Sequence, residues 1–308
     1  MRGGYCGFGR EENHTVTFRM TDEQKEIREQ ILRICARFDD DYWLERDRNG
    51  GFPYELHRAM ADGGWLGIAM PEAVGGAGLG ITEATIMMQA IAESGAGASG
   101  ASAIHMNIFG LNPVVKFGTE EQRARMLPPL IAGDEKACFA VTKPTTGLDT
   151  TKLKTMAMRQ GGRYVVHGQK VWISTAQVAH KMLLLARTTR IEDLTDPTEG
   201  LSLFYTDLNR NFVDVREIEK MGRKAVDSNE VFIDGLPIPA EDLIGEEGKG
   251  FRQILHGLNP ERILVAGECI GIARNALVRA AKYARERVVF GRPVGQNQGV
   301  QHPLAQAW

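Results

Sequence analysis

One segment in the middle of the chain combines polar side chains with a broken backbone. The run at 138–149 leaves a predicted strand and carries the hydroxyl of Thr142, and Pro144 and Gly147 interrupt it. A loop of this kind presents free backbone N–H groups and hydroxyls to whatever lies above it, which suits an anionic or heteroaromatic ligand. On its own the segment indicates only a polar loop, so its meaning depends on the motifs around it.

Further short motifs with chemically useful side chains occur both before and after this loop. In chain order they are Gly64-Trp65-Leu66-Gly67, Pro71-Glu72, the run 168–176 with Trp172 and Ser174, Met221-Gly222-Arg223, Pro237-Ile238-Pro239, the run 243–246, Asn259-Pro260-Glu261-Arg262, and the run 286–291 with Arg287 and Phe290. Each motif is weak by itself. Their order across the chain is the stronger observation.

Three other chemistries lack support in the sequence. Residues 95–100 match G-x-G-x-x-G, but they follow a helical pattern rather than a strand, so we expect a flexible interhelical loop and no dinucleotide site. The seven histidines are never spaced four apart or placed beside a cysteine pair, so no dedicated metal site is predicted. The G-x-S-x-G signature of many hydrolases is missing.

Composition excludes several classes of protein. The 308 residues are 43% hydrophobic and 25% charged, which indicates a soluble globular protein of two or three domains. The net charge of −2 and the lack of a basic block argue against a nucleic-acid partner. No apolar run approaches the roughly 20 residues of a membrane span. Four isolated cysteines fit a reducing compartment, so we expect the cytoplasm, or the mitochondrial matrix in a eukaryote.

Hydrophobic periodicity divides the chain into four parts. Residues 1–20 are predicted to be a disordered leader, and 21–135 show helical spacing throughout. Within 136–246 the period changes to two, and Gly161-Gly162 can form a tight hairpin between two strands. The predicted strands are 137–142, 152–159, 163–168, 169–174, 181–188, 201–206 and 228–234. Helical spacing returns at 247–308, so the fold class is α+β multidomain.

The predicted C-terminal helical domain is incomplete. A last helix opens near Gln296 and carries Val300, Leu304 and Trp308 on one face, with no later segment to cover them. A lone helix pair does not close a core. We therefore expect either that another chain supplies the missing partners or that the polypeptide is C-terminally truncated relative to a longer gene product.

Taken in this order, the motifs from about residue 21 to 308 resemble the acyl-CoA dehydrogenase family of flavoenzymes. The resemblance implies an N-terminal helical domain, a middle β domain and a C-terminal helical bundle, with FAD bound between the last two and partly across a dimer contact. It also implies α,β-dehydrogenation of an acyl-CoA thioester, in which a carboxylate removes the α-proton and the β-hydrogen passes as hydride to flavin N5. A homodimer or homotetramer is expected.

The resemblance assigns cofactor-binding roles to six residues. Thr142 corresponds to a threonine beside the flavin, and Trp172 and Ser174 to a pair that flanks the isoalloxazine ring. Arg287 matches an arginine that reaches the diphosphate or adenosine across the subunit contact. Further cofactor positions are Phe290 and Gln298. Without the resemblance, Trp172 and Ser174 would be ordinary strand residues, and Arg287 a solvated residue at a helix C-terminus.

The catalytic base has two alternative places in the family. In the commoner arrangement it lies in a loop beyond residue 308. In isovaleryl-CoA dehydrogenase and its relatives it lies on the long helix in a Leu-x-x-Glu-Arg context, which 258–262 resembles, so Glu261 is the candidate base. Asn259 and Arg262 would then neighbour the pantetheine and the thioester. Pro260 would either begin the helix or kink a longer one. The alternative for Glu261 is an exposed helical glutamate paired with a basic neighbour.

The sequence leaves the electron acceptor, the catalytic competence and the acyl group open, and it departs from the family at two positions. The electron acceptor is expected to be an electron-transfer flavoprotein, but an acyl-CoA oxidase using dioxygen is the alternative. A truncated, non-catalytic relative that acts as a binding or assembly fragment is the other possibility. Lys143 stands where the family usually has glutamate, and Leu148 where it usually has serine, so one hydroxyl contact is lost. The position of Glu261 favours branched or bulky acyl groups by analogy only.

Overall fold

The computed structural model describes residues 19–146 and 148–308. Most of the predicted leader, 1–20, and Gly147 of the polar loop lie outside the described residues. Helices form the first part of the described chain, a sheet follows, and a long helix with one short helix ends it. The α+β architecture predicted from the change of hydrophobic period is confirmed, whereas the predicted domain bounds stay predictions.

In the part of the chain that the structure describes, eight α-helices precede the sheet. They are α1 (Asp22–Cys35), α2 (Asp40–Asn49), α3 (Tyr54–Asp62), α4 (Ile81–Ile91), α5 (Gly97–His105), α6 (Asn112–Phe117), α7 (Glu120–Met126) and α8 (Pro128–Ile131). Helix α1 begins at a capping box in which Gln24 N–H donates to the Thr21 hydroxyl and Thr21 N–H donates to the Gln24 side chain. The prediction of a flexible loop at 95–100 is wrong. Gly95, with φ 110°, and Gly97, with φ 54°, break the helical path between α4 and α5, and α5 begins at Gly97.

Eight strands form one sheet. They are β1 (Ala137–Ala140), β2 (Met156–Gln160), β3 (Arg163–Ser174), β4 (Lys181–Arg187), β5 (Leu201–Asp207), β6 (Val213–Glu217), β7 (Ser228–Pro239) and β8 (Leu243–Ile244). The order is β6-β7-β3-β2-β4-β5-β8, with β1 parallel to β4. Gly161, with φ 62°, forms the predicted hairpin between β2 and β3. The two strands expected at 163–174 are one strand, and β6, which is short and charged, was not predicted.

Strand β4 joins the two parts of the molecule because both of its faces are buried. Leu183 and Leu185 belong to the apolar core shared with the helices, whereas Met182 and Leu184 face the second core, inside the β domain. Alternate side chains of a strand point to opposite faces, so a strand buried on both sides reads as a continuous apolar run. The sheet is therefore anchored directly to the helical domain.

The last part of the chain is dominated by α9 (Gly250–Glu286), a helix of 37 residues that packs against α4 and α5. Pro260 lies inside it, so the alternative in which Pro260 begins the helix is wrong. A short hairpin of β9 (Val288–Val289) and β10 (Arg292–Pro293) follows, and then α10 (Gln298–Ala307). None of the helices in residues 19–146 and 148–308 has the length and apolar run that a bilayer crossing requires.

We expect Gly271→Ala to destabilise the protein by about 1–3 kcal/mol because α9 and α4 approach too closely for a side chain. A Cβ at Gly271 would overlap the carbonyl oxygen of Gln89 and lie 2.9 Å from Cβ of Ala92. Urea unfolding followed by circular dichroism measures the effect. The matched control is Gly299→Ala in α10, where a Cβ meets nothing within 4 Å and stability should stay the same or rise slightly. Equal stability of the two variants would contradict the packing argument.

Candidate active site

A cleft of about 570 Å³ lies between the sheet and the helices α5 and α9. Its volume is within the range of small-molecule and cofactor sites. The residues that line it are Ala98, Ser102, His105, Met106, Phe109, Phe139, Val141, Thr142, Leu148, Thr150, Trp172, Ser174, Thr175, Arg223, Leu258, Glu261, Arg262, Val265, Glu268, Cys269 and Ile272. Five of the predicted site residues are among them: Thr142, Trp172, Ser174, Glu261 and Arg262. The tertiary structure thus brings together residues that lie up to 120 positions apart in the sequence.

Trp172 is held on the cleft wall by an irregularity in β3. The pairing of β3 with β7 shifts register between Lys170 and Ile173, and Trp172 lies in this bulge with φ 61°. Bulges re-aim side chains, and a positive φ at a bulky residue is a strained conformation that the surrounding structure must impose. The Trp172 side chain is consequently 61% exposed, unlike the apolar residues that flank it in β3. It presents a large aromatic surface to the cleft.

The polar loop that contains Thr142 is fixed to the same strand. The N–H of Val171 donates to the carbonyl of Thr142 at 3.0 Å. Beneath the loop, the fully buried amino group of Lys170 donates to the carbonyls of Val141 at 3.0 Å and of Leu185 at 2.6 Å. Burial lowers the pKa of Lys170 well below its usual 10.5, and the charge of Lys143 acts in the same direction. Lys170 therefore ties the loop to β4 from below, next to Trp172.

Glu261 lies on α9, which forms the helical wall of the cleft, and its side chain is partly buried. Burial raises the pKa of Glu261 above its usual 4.5, the charge of Glu268 adds to the rise, and His105 and Arg262 oppose it. A carboxylate that water solvates poorly is a stronger base than an exposed one. The alternative expected from the sequence, an ion pair with a basic neighbour, is absent among the hydrogen bonds and salt bridges of the described chain, since Arg262 donates to Asn259 Oδ1 at 2.6 Å instead. Asn259 itself is exposed and does not line the cleft.

Two polar pairs of the cleft are not among the site residues predicted from the sequence. Nδ1 of His105 and Oε1 of Glu268 are 3.1 Å apart, and a guanidinium nitrogen of Arg223 donates to the Ser102 hydroxyl at 2.8 Å. A signal for Glu268 exists, because it follows Glu261 by seven residues and two helical turns place it on the same face. No sequence spacing relates His105 to α9, since they are far apart in the chain.

Arg287, Phe290 and Gln298 do not join the cleft. Arg287 follows Glu261 by 26 residues, and at about 1.5 Å per helical residue this is about 39 Å along α9. Phe290 is fully exposed at the tip of the β9–β10 hairpin with φ 52°, and Gln298 begins α10 on the surface. These side chains cannot reach the cleft of their own chain.

Other features define what the cleft can bind. Within the described part of the chain, no cluster of three or more His, Cys, Asp or Glu side chains could hold a metal ion. Leu148 is fully exposed at the rim, and the amino group of Lys143 donates to the Thr145 hydroxyl at 2.8 Å. The cleft thus combines the exposed indole of Trp172, several hydroxyls and two carboxylates, those of Glu261 and Glu268. This arrangement suits a flat heteroaromatic group beside a substrate that loses a proton.

Comparison with known proteins identifies three consecutive domains. Family models of the acyl-CoA dehydrogenase N-terminal, middle and C-terminal domains match residues 21–134, 138–236 and 248–308. An acyl-CoA dehydrogenase of Bacillus subtilis is 33% identical over 93% of this chain and 74% of its own length. The solved butyryl-CoA dehydrogenase of Megasphaera elsdenii has a TM-score of 0.88 at 27% identity and covers 95% of this chain and 76% of its own.

A third similar protein comes from a structure described as the electron transferring flavoprotein of Acidaminococcus fermentans. Its chain has a TM-score of 0.89 at 28% identity and covers 94% of this chain and 76% of its own. The family similarity extends over both walls of the cleft, because the middle-domain match includes β3 and the C-terminal match includes α9.

We expect Lys170→Met to destabilise the protein by about 1–3 kcal/mol, because two buried carbonyls lose their donor. The pKa of Lys170 is lower in the folded than in the unfolded state, so the unfolded state binds more protons and the wild-type stability rises with pH below about 10.5. The stability difference between wild type and Lys170→Met should therefore widen from pH 7 towards pH 10.

Urea unfolding at several pH values measures this difference. The matched control is Lys154→Met, which removes an exposed lysine whose side chain makes no hydrogen bond or ion pair within the described chain and should leave stability nearly unchanged. If the Lys170→Met and Lys154→Met variants unfold at the same urea concentration, the buried lysine does not support the loop.

Proposed function

The chain belongs to the acyl-CoA dehydrogenase family, and we propose that it is a FAD-dependent enzyme that introduces a double bond between Cα and Cβ of an acyl-CoA thioester, with Glu261 as the base. The observation that carries this proposal is that Glu261 and Trp172 line one cleft from facing walls. In this proposal the base is on the long helix rather than in a later loop. The position agrees with the Leu-x-x-Glu-Arg context of 258–262.

The wall of the cleft formed by β3 and the polar loop fits FAD. The exposed indole of Trp172 offers a surface on which a planar ring system can stack. The hydroxyls of Thr142 and Ser174 lie on the same wall and can donate to or accept from the polar edge of the ring. Bound FAD supplies a hydride acceptor at N5 of its isoalloxazine ring.

Glu261 accepts the α-proton of the substrate on its carboxylate. Since burial raises its pKa, the carboxylate has a higher proton affinity than an exposed glutamate. Its place on a continuous helix fixes the distance to the opposite wall. Arg262 lies at the exposed side of the same helix turn and is oriented by Asn259, so this pair is suited to bind the pantetheine and the thioester end of the substrate.

Arg287, Phe290 and Gln298 bind the cofactor of a neighbouring subunit in this proposal. This role is supported by the distance within one chain. About 39 Å of helix separates Arg287 from Glu261, so Arg287 cannot act in its own cleft. An arginine fork suits a diphosphate because it forms two parallel charge-assisted hydrogen bonds. A homodimer or homotetramer would bring this end of α9 to a second cleft.

An electron-transfer flavoprotein is the proposed electron acceptor, supported by the similar chain in the Acidaminococcus fermentans structure. Production of hydrogen peroxide under air would instead identify an acyl-CoA oxidase. Cys35, Cys138 and Cys269 are free thiols, which supports a reducing compartment, and we place the protein in the cytoplasm, or in the mitochondrial matrix of a eukaryote.

Glu261→Gln should lower kcat for acyl-CoA dehydrogenation by about 100- to 10,000-fold, because the amide cannot accept the α-proton. The measurement is anaerobic bleaching of the flavin on addition of an acyl-CoA. In the wild type, the acidic limb of the pH profile of kcat/KM should lie above pH 4.5, because burial raises the pKa of Glu261.

The content of bound FAD should be the same in Glu261→Gln and wild type. Glu29→Gln, which changes an exposed glutamate of α1, is the control for loss of one carboxylate. If Glu261→Gln bleaches the flavin at the wild-type rate, another group removes the proton.

Trp172→Ala should weaken FAD binding by about 2- to 10-fold, which corresponds to about 0.5–1.5 kcal/mol of lost ring stacking. Trp172→Phe retains an aromatic face and is the matched variant that should bind more tightly than Trp172→Ala. Ultrafiltration of the flavin-loaded proteins, followed by absorbance of the released FAD, gives the dissociation constants. Identical values for the two variants would remove Trp172 from the flavin site.

A further inference from the structure

A buried acid and imidazole pair lies at the inner end of the cleft. His105, the last residue of α5, meets Glu268 of α9 with Nδ1 and Oε1 3.1 Å apart. Their side chains are only 14% and 7% exposed, and both line the cleft that contains Glu261. Ionisable groups that are this deeply buried need a partner, and each supplies one for the other.

Each member of the pair also has one polar atom that no described protein group binds. The hydrogen bond uses Nδ1 of His105 and Oε1 of Glu268, which leaves His105 Nε2 and Glu268 Oε2 without a protein partner among the described residues. Neither atom is fully enclosed by protein, so both can face the cleft. A plain hydrocarbon tail lying over them would remove water and offer no hydrogen bond in exchange, which is unfavourable.

The pair is placed where the distal end of an acyl group would lie. Glu268 follows Glu261 by two helical turns, or about 10.5 Å for seven residues at about 1.5 Å each, on the same face of α9. Arg262 is exposed at the other side of Glu261. The large polar CoA moiety must stay at this exposed end, so the acyl chain extends from Glu261 towards the buried pair. An extended chain advances about 1.2 Å per bond, so roughly nine bonds cover this distance.

We propose that the acyl group selected by this cleft carries a hydroxyl at its distal end, which donates to Glu268 Oε2 and accepts from His105 Nε2–H when both ring nitrogens carry a proton. This inference rests on the proposed acyl-CoA dehydrogenase function and names its substrate class. A hydroxyl is the group that can pair with both free atoms at once. A terminal carboxylate has no proton to donate to Glu268, and a terminal ammonium has no lone pair to accept from His105.

Pairs of substrates of equal length test the proposal. The FAD-loaded protein is given butyryl-, hexanoyl-, octanoyl- and decanoyl-CoA and the ω-hydroxy form of each, and kcat/KM is measured by flavin bleaching. We expect the ω-hydroxy form to be preferred by about tenfold or more at the length that reaches the pair, with little preference at the shortest length. A preference for the unsubstituted chain at every length overturns the proposal, as does a higher kcat/KM for ω-carboxy or ω-amino chains.

Variants of Glu268 separate recognition from a structural link between α5 and α9. Glu268→Leu should abolish the preference for the hydroxyl and raise kcat/KM for the unsubstituted chain, whereas Glu268→Gln, which keeps an amide for hydrogen bonding, should retain part of it. A merely structural role would lower stability and reduce kcat/KM for both members of a pair equally, and this outcome rejects the proposal.

Binding of non-reactive probes keeps this inference independent of the catalytic assignment. S-alkyl and S-(ω-hydroxyalkyl) thioethers of CoA have no carbonyl to acidify the α-carbon, and isothermal titration gives their dissociation constants. Tighter binding of the hydroxylated thioether by wild type but not by Glu268→Leu supports the recognition site even if Glu261→Gln is still active. Equal binding of both thioethers by wild type refutes the recognition site even if Glu261 is the base.

Discussion

The close packing of α9 against α4 is the constraint on which the cleft depends. At Gly267 and Gly271 a side chain would collide with Thr85 and with the backbone near Gln89, so the two helices meet almost backbone to backbone. This contact fixes the position of one face of a 37-residue helix relative to the rest of the molecule. Glu261 and Glu268 are on the side of that helix that borders the cleft. The geometry of the helical wall is thus a consequence of two small residues and interhelical packing.

The opposite wall uses a different physical device. A register shift in β3 and a positive φ turn Trp172 out of the sheet, and the buried Lys170 in the same strand secures the loop that carries Thr142. Strain in one residue and a buried amino group are both unfavourable in isolation. They persist because β3 pairs with β7 on either side of the bulge and the carbonyls of Val141 and Leu185 satisfy the amino group. A rigid helix therefore faces a rigid, locally distorted strand, and only a ligand has to be ordered between them.

The electrostatics of the cleft follow from its uneven burial. Arg262 is exposed at one end, Glu261 is partly buried in the middle, and His105 and Glu268 are almost fully covered at the other end. This gradient of exposure orients a substrate that has a large charged part and a small reactive part, because the charged part stays in water at the exposed end. It also raises the pKa of Glu261, because the neighbouring Glu268 and the loss of solvent act in the same direction.

Much of this protein could be predicted from local patterns in the sequence. The change of period near residue 136 predicted the order of helices, sheet and helices, the Gly161-Gly162 pair predicted a hairpin, and the ordered motifs predicted the family. These features depend on neighbouring residues, and periodicity reports them directly. The loop expected at 95–100 and the helix start considered at Pro260 were wrong, because packing against other elements overrode the local tendency of glycine and proline. Only the tertiary structure decided that His105 meets Glu268, that Trp172 points into the cleft, and that Arg287 lies far from Glu261. Such relations depend on helix packing, strand register and helix length, which bring together residues that no sequence spacing connects.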